Sequence, residues 1–330
     1  MKTIINRVLW VDALKGIAIL WLIVYHFYIF NWLRSPVPVF FFLSGLFFSE
    51  GKTFGSFVGK KANALLVPFL FFFFLGITVS FLKSLAFGES YSFPQLWRFA
   101  TIIPGNAKVT NPLGVGAIWF LIVLFELYIV YYLLRKITNK KWLLLFITLV
   151  LWLLSALFLY RYAIGSLFYI FYAFSFLPFF VVSHLFTKCI MYKHLPLWVV
   201  VLSMGCYLLT YIPVSVEASS GGDVILRIKD LLSSMGLVLM LVFYVKYFFS
   251  YNSVLELKLS RLLLFEGRNS ITILGVHLIV MSVASNLLKD YLSNKSLYYL
   301  VLFVIVFIVS NICILLFNKY IPFFVNGKKK

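Results

Sequence analysis

The chain has 330 residues, of which 63% are hydrophobic and only 12% charged, with a mean hydropathy of +1.02. Soluble domains carry about twice that share of charge, so the composition excludes a water-soluble enzyme and points to an all-α, polytopic transmembrane helix bundle. A net charge of +19 would suit a nucleic-acid partner, but the basic residues stand in short connections between apolar runs, where they set topology and attract anionic membrane lipid.

In chain order, ten apolar stretches approach the length of about 20 residues that a helix needs to cross a hydrocarbon core of about 30 Å. They span about 8 to 30, 36 to 50, 62 to 83, 114 to 134, 142 to 160, 165 to 186, 195 to 212, 231 to 250, 269 to 288 and 297 to 318. The first is too long for a signal peptide, lacks a small-residue cleavage site and holds an acid in its first turn, so it is expected to stay attached. The second is the shortest and begins at the Pro36/Pro38 punctuation, which suits a tilted or partly re-entrant segment. Pro178 marks a kink site in the sixth. Residues 84 to 113 and 213 to 230 form the longer connections on one side, able to cover a site or to pack as short interfacial helices. One integral-membrane domain over residues 1 to 330 is expected, with no soluble domain.

Assigned to alternate sides of the spans, the Lys and Arg residues other than Lys15 divide into nineteen and nine. The richer set includes both chain ends, so both termini are expected on the cytoplasmic side. Cys189, Cys206 and Cys313 have no paired spacing. They support neither a disulfide framework nor a zinc site, and no metal is expected.

Charged groups inside spans are the informative exceptions, because each is costly in hydrocarbon unless it faces a cavity or a partner. The first span, "VDALKGIAILWLIVYHFYIF", carries Asp12, Lys15 and His26. At 100° per residue, Lys15 and His26 differ by about 20° after three turns, and Asp12 and His26 fall about 40° short of four. All three project from nearly one face. At 1.5 Å per residue Lys15 and His26 are about 16 Å apart along the axis, and Asp12 and His26 about 21 Å. That forbids a hydrogen-bonded dyad within the helix and suits a long ligand lying along it, such as a phosphopantetheine arm with its anionic head at Lys15 and its thioester at His26. The plain alternatives are an Asp12/Lys15 pair snorkelling at the helix start and a histidine bonded to a backbone carbonyl.

Further along, Glu126 in "AIWFLIVLFELYIVYY" falls near mid-span, with His26, His277 or a basic group as its possible partner. His277, in "NSITILGVHLIV", suits either catalysis or acceptor binding, or plain packing. His184 and His194 flank a connection with Lys188 and Lys193 and read as interfacial. Ser44 and Gly45, within "PVPVFFFLSGLFF", permit close backbone approach or a narrow passage.

The order "WVDALKGIAILWLIVYH", "PVFFFLSGLFF", "KKANALLVPFLFFF", "GAIWFLIVLF" and "NSITILGVHLIV" resembles acyltransferase family 3, the integral-membrane O-acyltransferases, and its start is most similar to the fucose 4-O-acetylase-like branch. The family pattern of a basic residue, ten others and a histidine falls on Lys15 and His26, with Asp12 as the acid just before. In much of the family the basic residue is Arg; Lys keeps the charge but offers no bidentate fork. The family's basic pair ahead of a Leu-Leu-x-Pro segment corresponds to Lys60 and Lys61. Trp119 falls in the Trp-Phe-Leu motif, with Ile118 where a histidine or polar residue is usual.

The resemblance implies transfer of an acyl group, usually acetyl, from cytoplasmic acyl-CoA to a hydroxyl of a carbohydrate or glycan, in the bacterial cytoplasmic (inner) membrane. His26 would act as general base or accept the acyl group transiently; an unperturbed imidazole, with a pKa near 6.5, suits proton transfer at neutral pH. Lys15, Lys60 and Lys61 would hold the phosphates of acetyl-CoA, Asp12 would orient Lys15 or limit its charge, and Glu126 and His277 are further catalytic candidates. A transporter or flippase for a lipid-linked saccharide is the alternative, since titratable residues in spans also suit a substrate or proton path. Clustering on the first span and the lack of broken-helix repeats favour the enzyme.

Overall fold

Each of the ten apolar stretches carries an α-helix in the computed structural model, which describes residues 8–27, 34–51, 53–87, 116–161, 170–192, 196–211, 224–249 and 258–326. The helices are α1 (Leu9–Tyr25), α2 (Val37–Leu46), α3 (Phe54–Phe87), α4 (Trp119–Ile137, entered through a 3-10 turn at Gly116–Ile118), α5 (Lys141–Arg161), α6 (Ile170–Leu185), α7 (Thr187–Tyr192), α8 (Leu197–Thr210), α9 (Val224–Phe248), α10 (Lys258–Arg268), α11 (Ser270–Leu288), α12 (Lys295–Tyr320) and α13 (Pro322–Asn326). No strand occurs among the described residues.

Five segments are long and apolar enough to cross a membrane: α3, α4 with its 3-10 turn, α9, α11 and α12. Only 22% of the most apolar window of α12 is buried within the protein, and Trp142 and Leu209 are each 85% exposed. Apolar surface on the scale of whole helices is stable only against lipid, where a helix also satisfies its own backbone. The protein is an all-α membrane helix bundle.

Helix boundaries depart from the hydropathy where hydrogen bonding, not lipid, sets the end. α3 starts at Phe54 rather than near 62 because Thr53 caps it, its Oγ1 accepting from the Ser56 N–H at 3.3 Å and its carbonyl from the Phe57 N–H at 2.9 Å. Lys60 and Lys61 therefore stand inside a helix. α9 starts at Val224 rather than near 231 and takes Arg227, Lys229 and Asp230 into its first turns. α2 has ten residues, about 15 Å of rise and half a bilayer core. α6 runs through Pro178 without a break in its helical span. α10 was not expected at all: its mixture of Lys, Arg, Glu and Leu is too polar for a span. Connection residues 88–113 and 212–223, and the expected helical residues 28–30, lie outside the described residues.

The chain divides into two compact units, each assembled from two stretches of sequence: residues 1–48 with 176–270, and residues 49–175 with 271–330. In the first, α1 packs on α10, α2 and α9, and α9 packs on α8. Two glycines make the α1–α10 crossing possible. A Cβ at Gly16 would collide with the Leu263 carbonyl, and one at Gly267 with the Asp12 carbonyl. Gly45 plays the same part on α2, where a Cβ would strike the Phe180 carbonyl and the Ser183 hydroxyl of α6, so the expected close backbone approach is present. In the second unit α3 packs on α4 and α13 around buried Phe72, Ile118, Val276, Ile279 and Val325.

Candidate active site

Asp12, Lys15 and His26 belong to the first unit and are carried by α1. The helical register runs unbroken to His26, which forms the C-cap with φ −72° and ψ −9° and whose backbone N–H bonds the Leu22 carbonyl at 3.2 Å. The last turn then tightens, Phe27 N–H reaching the Val24 carbonyl at 3.1 Å. Asp12 is buried, while Lys15 and His26 are half-buried. With the register intact, the one-face relation and the axial spacing of about 16 Å between Lys15 and His26 hold.

The His26 ring is oriented by the helix end itself. Its Nδ1 lies 2.8 Å from the Leu22 carbonyl oxygen. A carbonyl only accepts, so Nδ1 carries the proton, and in the neutral imidazole the lone pair sits on Nε2. That is the form a general base requires.

Asp12 has a partner that the sequence did not indicate. Its Oδ2 accepts from Arg268 Nε at 3.2 Å. Arg268 ends α10, 38% exposed, beside the glycine crossing. Two positions earlier Glu266 is fully buried. Hydropathy puts both residues in a connection; the segregation of polar and apolar residues at helical spacing over 258–268 is the available sign of a helix, but nothing local joins Arg268 to Asp12.

Eight residues beyond His26, buried Arg34 donates through Nη1 to Asp230 Oδ1, with Ser234 Oγ at 3.3 Å, and its guanidinium lies 5.6 Å from the Tyr211 ring centre. Nothing local in the sequence indicates this ion pair either, because hydropathy puts Asp230 in a connection. His184 packs edge-on against Phe48 at 5.1 Å, half-buried. His194 lies outside the described residues.

Lys60, Lys61, Glu126 and His277 belong to the second unit. Lys60 is exposed, whereas Lys61 is half-buried with Nζ 3.5 Å from the centre of the Tyr128 ring, a cation–π contact. Beside them Glu50 bridges Arg135 at 3.1 Å and Lys136 at 3.5 Å. Arg135 and Lys136 also favour the negative end of the α4 dipole. Glu126 is buried on α4. His277 is fully buried, with Nδ1 2.8 Å from the Ile273 carbonyl, and by the same reasoning its lone pair is on Nε2. Trp119 stands 5.9 Å from Tyr172.

No curated protein and no solved structure matches the chain at a significant level. The model of an acyltransferase domain, that of acyltransferase family 3, matches residues 8–316, nearly the whole chain and both units. By that match, and with its long apolar helices, the chain belongs to acyltransferase family 3 and is a membrane acyltransferase.

Proposed function

We propose that the protein is an O-acyltransferase that moves an acetyl group from cytoplasmic acetyl-CoA to a hydroxyl of a carbohydrate or glycan, acting in the bacterial cytoplasmic membrane with both termini cytoplasmic. The observation that carries this reading is the His26 Nδ1 bond to the Leu22 carbonyl at 2.8 Å, which leaves Nε2 as the acceptor of a proton. His26 Nε2 takes the proton of the acceptor hydroxyl as its oxygen attacks the thioester carbonyl carbon. The new C–O bond forms, the C–S bond breaks, and the CoA thiolate leaves and recovers the proton from the imidazolium. Lys15, on the same helix as His26, balances negative charge on the donor phosphates, and the apolar surroundings exclude competing water. Family membership supports acyl transfer over transport of a saccharide.

The test is transfer by purified protein in proteoliposomes supplied with radiolabelled acetyl-CoA and a panel of glycans. Label is expected in glycan ester that mild alkali releases, and Lys15→Ala is expected to raise KM for acetyl-CoA by about tenfold, the value of one charge-assisted contact. Transfer that proceeds equally well without acetyl-CoA, or no ester formation with any glycan, contradicts the proposal.

A further inference from the structure

The Asp12 carboxylate holds a guanidinium 256 positions further along the chain. We propose that Arg268 is a donor-binding residue whose guanidinium, positioned by Asp12, grips a phosphate of the CoA portion next to Lys15; this rests on the acetyl-CoA reading above.

An arginine has five N–H donors, and the contact with Asp12 uses only that on Nε. Among the described residues Arg268 has no other partner, so the two terminal nitrogens keep the fork that matches a phosphate. The pair is lopsided in exposure: the Asp12 side chain is 9% exposed and that of Arg268 38%. Its accessible half is therefore the positive one. Glu266, two positions back, is about 200° away around α10 and buried on the opposite side.

Position is fixed as firmly as orientation. Gly267, next to Arg268, lies against the Asp12 carbonyl, and Gly16 against Leu263, so the end of α10 is seated directly on α1. Lys15 follows Asp12 by three residues, about 4.5 Å along the helix and on the same face. A point charge and a fork thus stand within one turn, at the far end of the stripe from His26. An extended phosphopantetheine arm along that face joins the two ends. The alternative source of the same chemistry is a lipid phosphate; the shared face with His26 favours the donor.

The experiment measures equilibrium binding of CoA and of pantetheine, which lacks the phosphates, to full-length protein in nanodiscs with and without anionic lipid. The ratio of the pantetheine Kd to the CoA Kd measures what the phosphates and the adenosine contribute together, and the Arg268 variants read the phosphate share of it. In Arg268→Gln this ratio is expected to fall by about ten- to a hundredfold, and Arg268→Lys, which keeps charge without the fork, to recover part of it. An unchanged ratio in both variants overturns the inference. Equal weakening of both ligands makes Arg268 structural and also overturns it. A CoA preference that disappears from all forms when anionic lipid is present assigns Arg268 to lipid instead. Wild-type protein that prefers pantetheine or binds neither defeats the acetyl-CoA reading itself, a result distinct from wild-type binding that Arg268→Gln leaves intact.

Discussion

At the scale of single residues, the first helix shows which parts of a site are local enough to read. Asp12, Lys15 and His26 could be placed on one face because helical rotation depends only on counting, and α1 keeps that register through its C-cap. The Leu22 contact of His26 is equally local, four residues back along the same helix. Arg268 and Asp230 were illegible for the opposite reason: their partners, Asp12 and Arg34, are 256 and 196 positions away. Charge type revealed a need for compensation without naming its source. The Arg34–Asp230 pair is expected to matter for stability, since removing one partner strands the other charge. Arg34→Met should lower unfolding stability by about 3 kcal/mol, and the Arg34→Met/Asp230→Asn double variant should regain part of it. Thermal unfolding in a fixed detergent compares the two; a double variant less stable than Arg34→Met argues against the pairing as the cause.

At the scale of elements, hydropathy located ten helices but not all their ends, because lipid solubility and hydrogen-bond capping answer different questions. Thr53 extends α3 beyond its apolar portion, and Asn294 Oδ1 accepts from the Leu297 N–H at 3.2 Å to start α12 ahead of the expected 297. α10 escaped because a helix that buries one face against another helix need not be apolar all round. Its seating on α1 gives a sharp contrast in sign. Gly16→Leu and Gly267→Val drive side chains into backbone carbonyls that cannot swing aside, and each should cost about 3 kcal/mol, the upper end of overpacking. Gly59→Ala, on an open part of α3 with no neighbour near its Cβ, should instead be neutral or stabilising by up to about 1 kcal/mol. Melting temperatures of the three variants provide the check, and a tolerant Gly267 would remove the basis for a fixed α1–α10 crossing.

For the whole molecule, composition excluded a soluble fold and the family match spans both compact units. The division into units was not legible, because each is built from two stretches far apart in sequence and only packing joins them. Topology is the remaining large-scale expectation. The imbalance of basic residues predicts both termini in the cytoplasm, so a fluorescent protein fused after Lys330 should be bright and alkaline phosphatase fused there inactive. The reverse pattern would turn the protein over in the membrane and put Lys15 away from cytoplasmic acetyl-CoA. The central claim is chemical: the α1 histidine transfers a proton during acyl transfer. Its most direct measurement is single-turnover acetyl transfer by His26→Ala, alongside wild-type protein with the same acetyl-CoA occupancy. Bound donor with transfer reduced by at least about a hundredfold is the predicted result, in line with loss of a general base; transfer at the wild-type rate would contradict it.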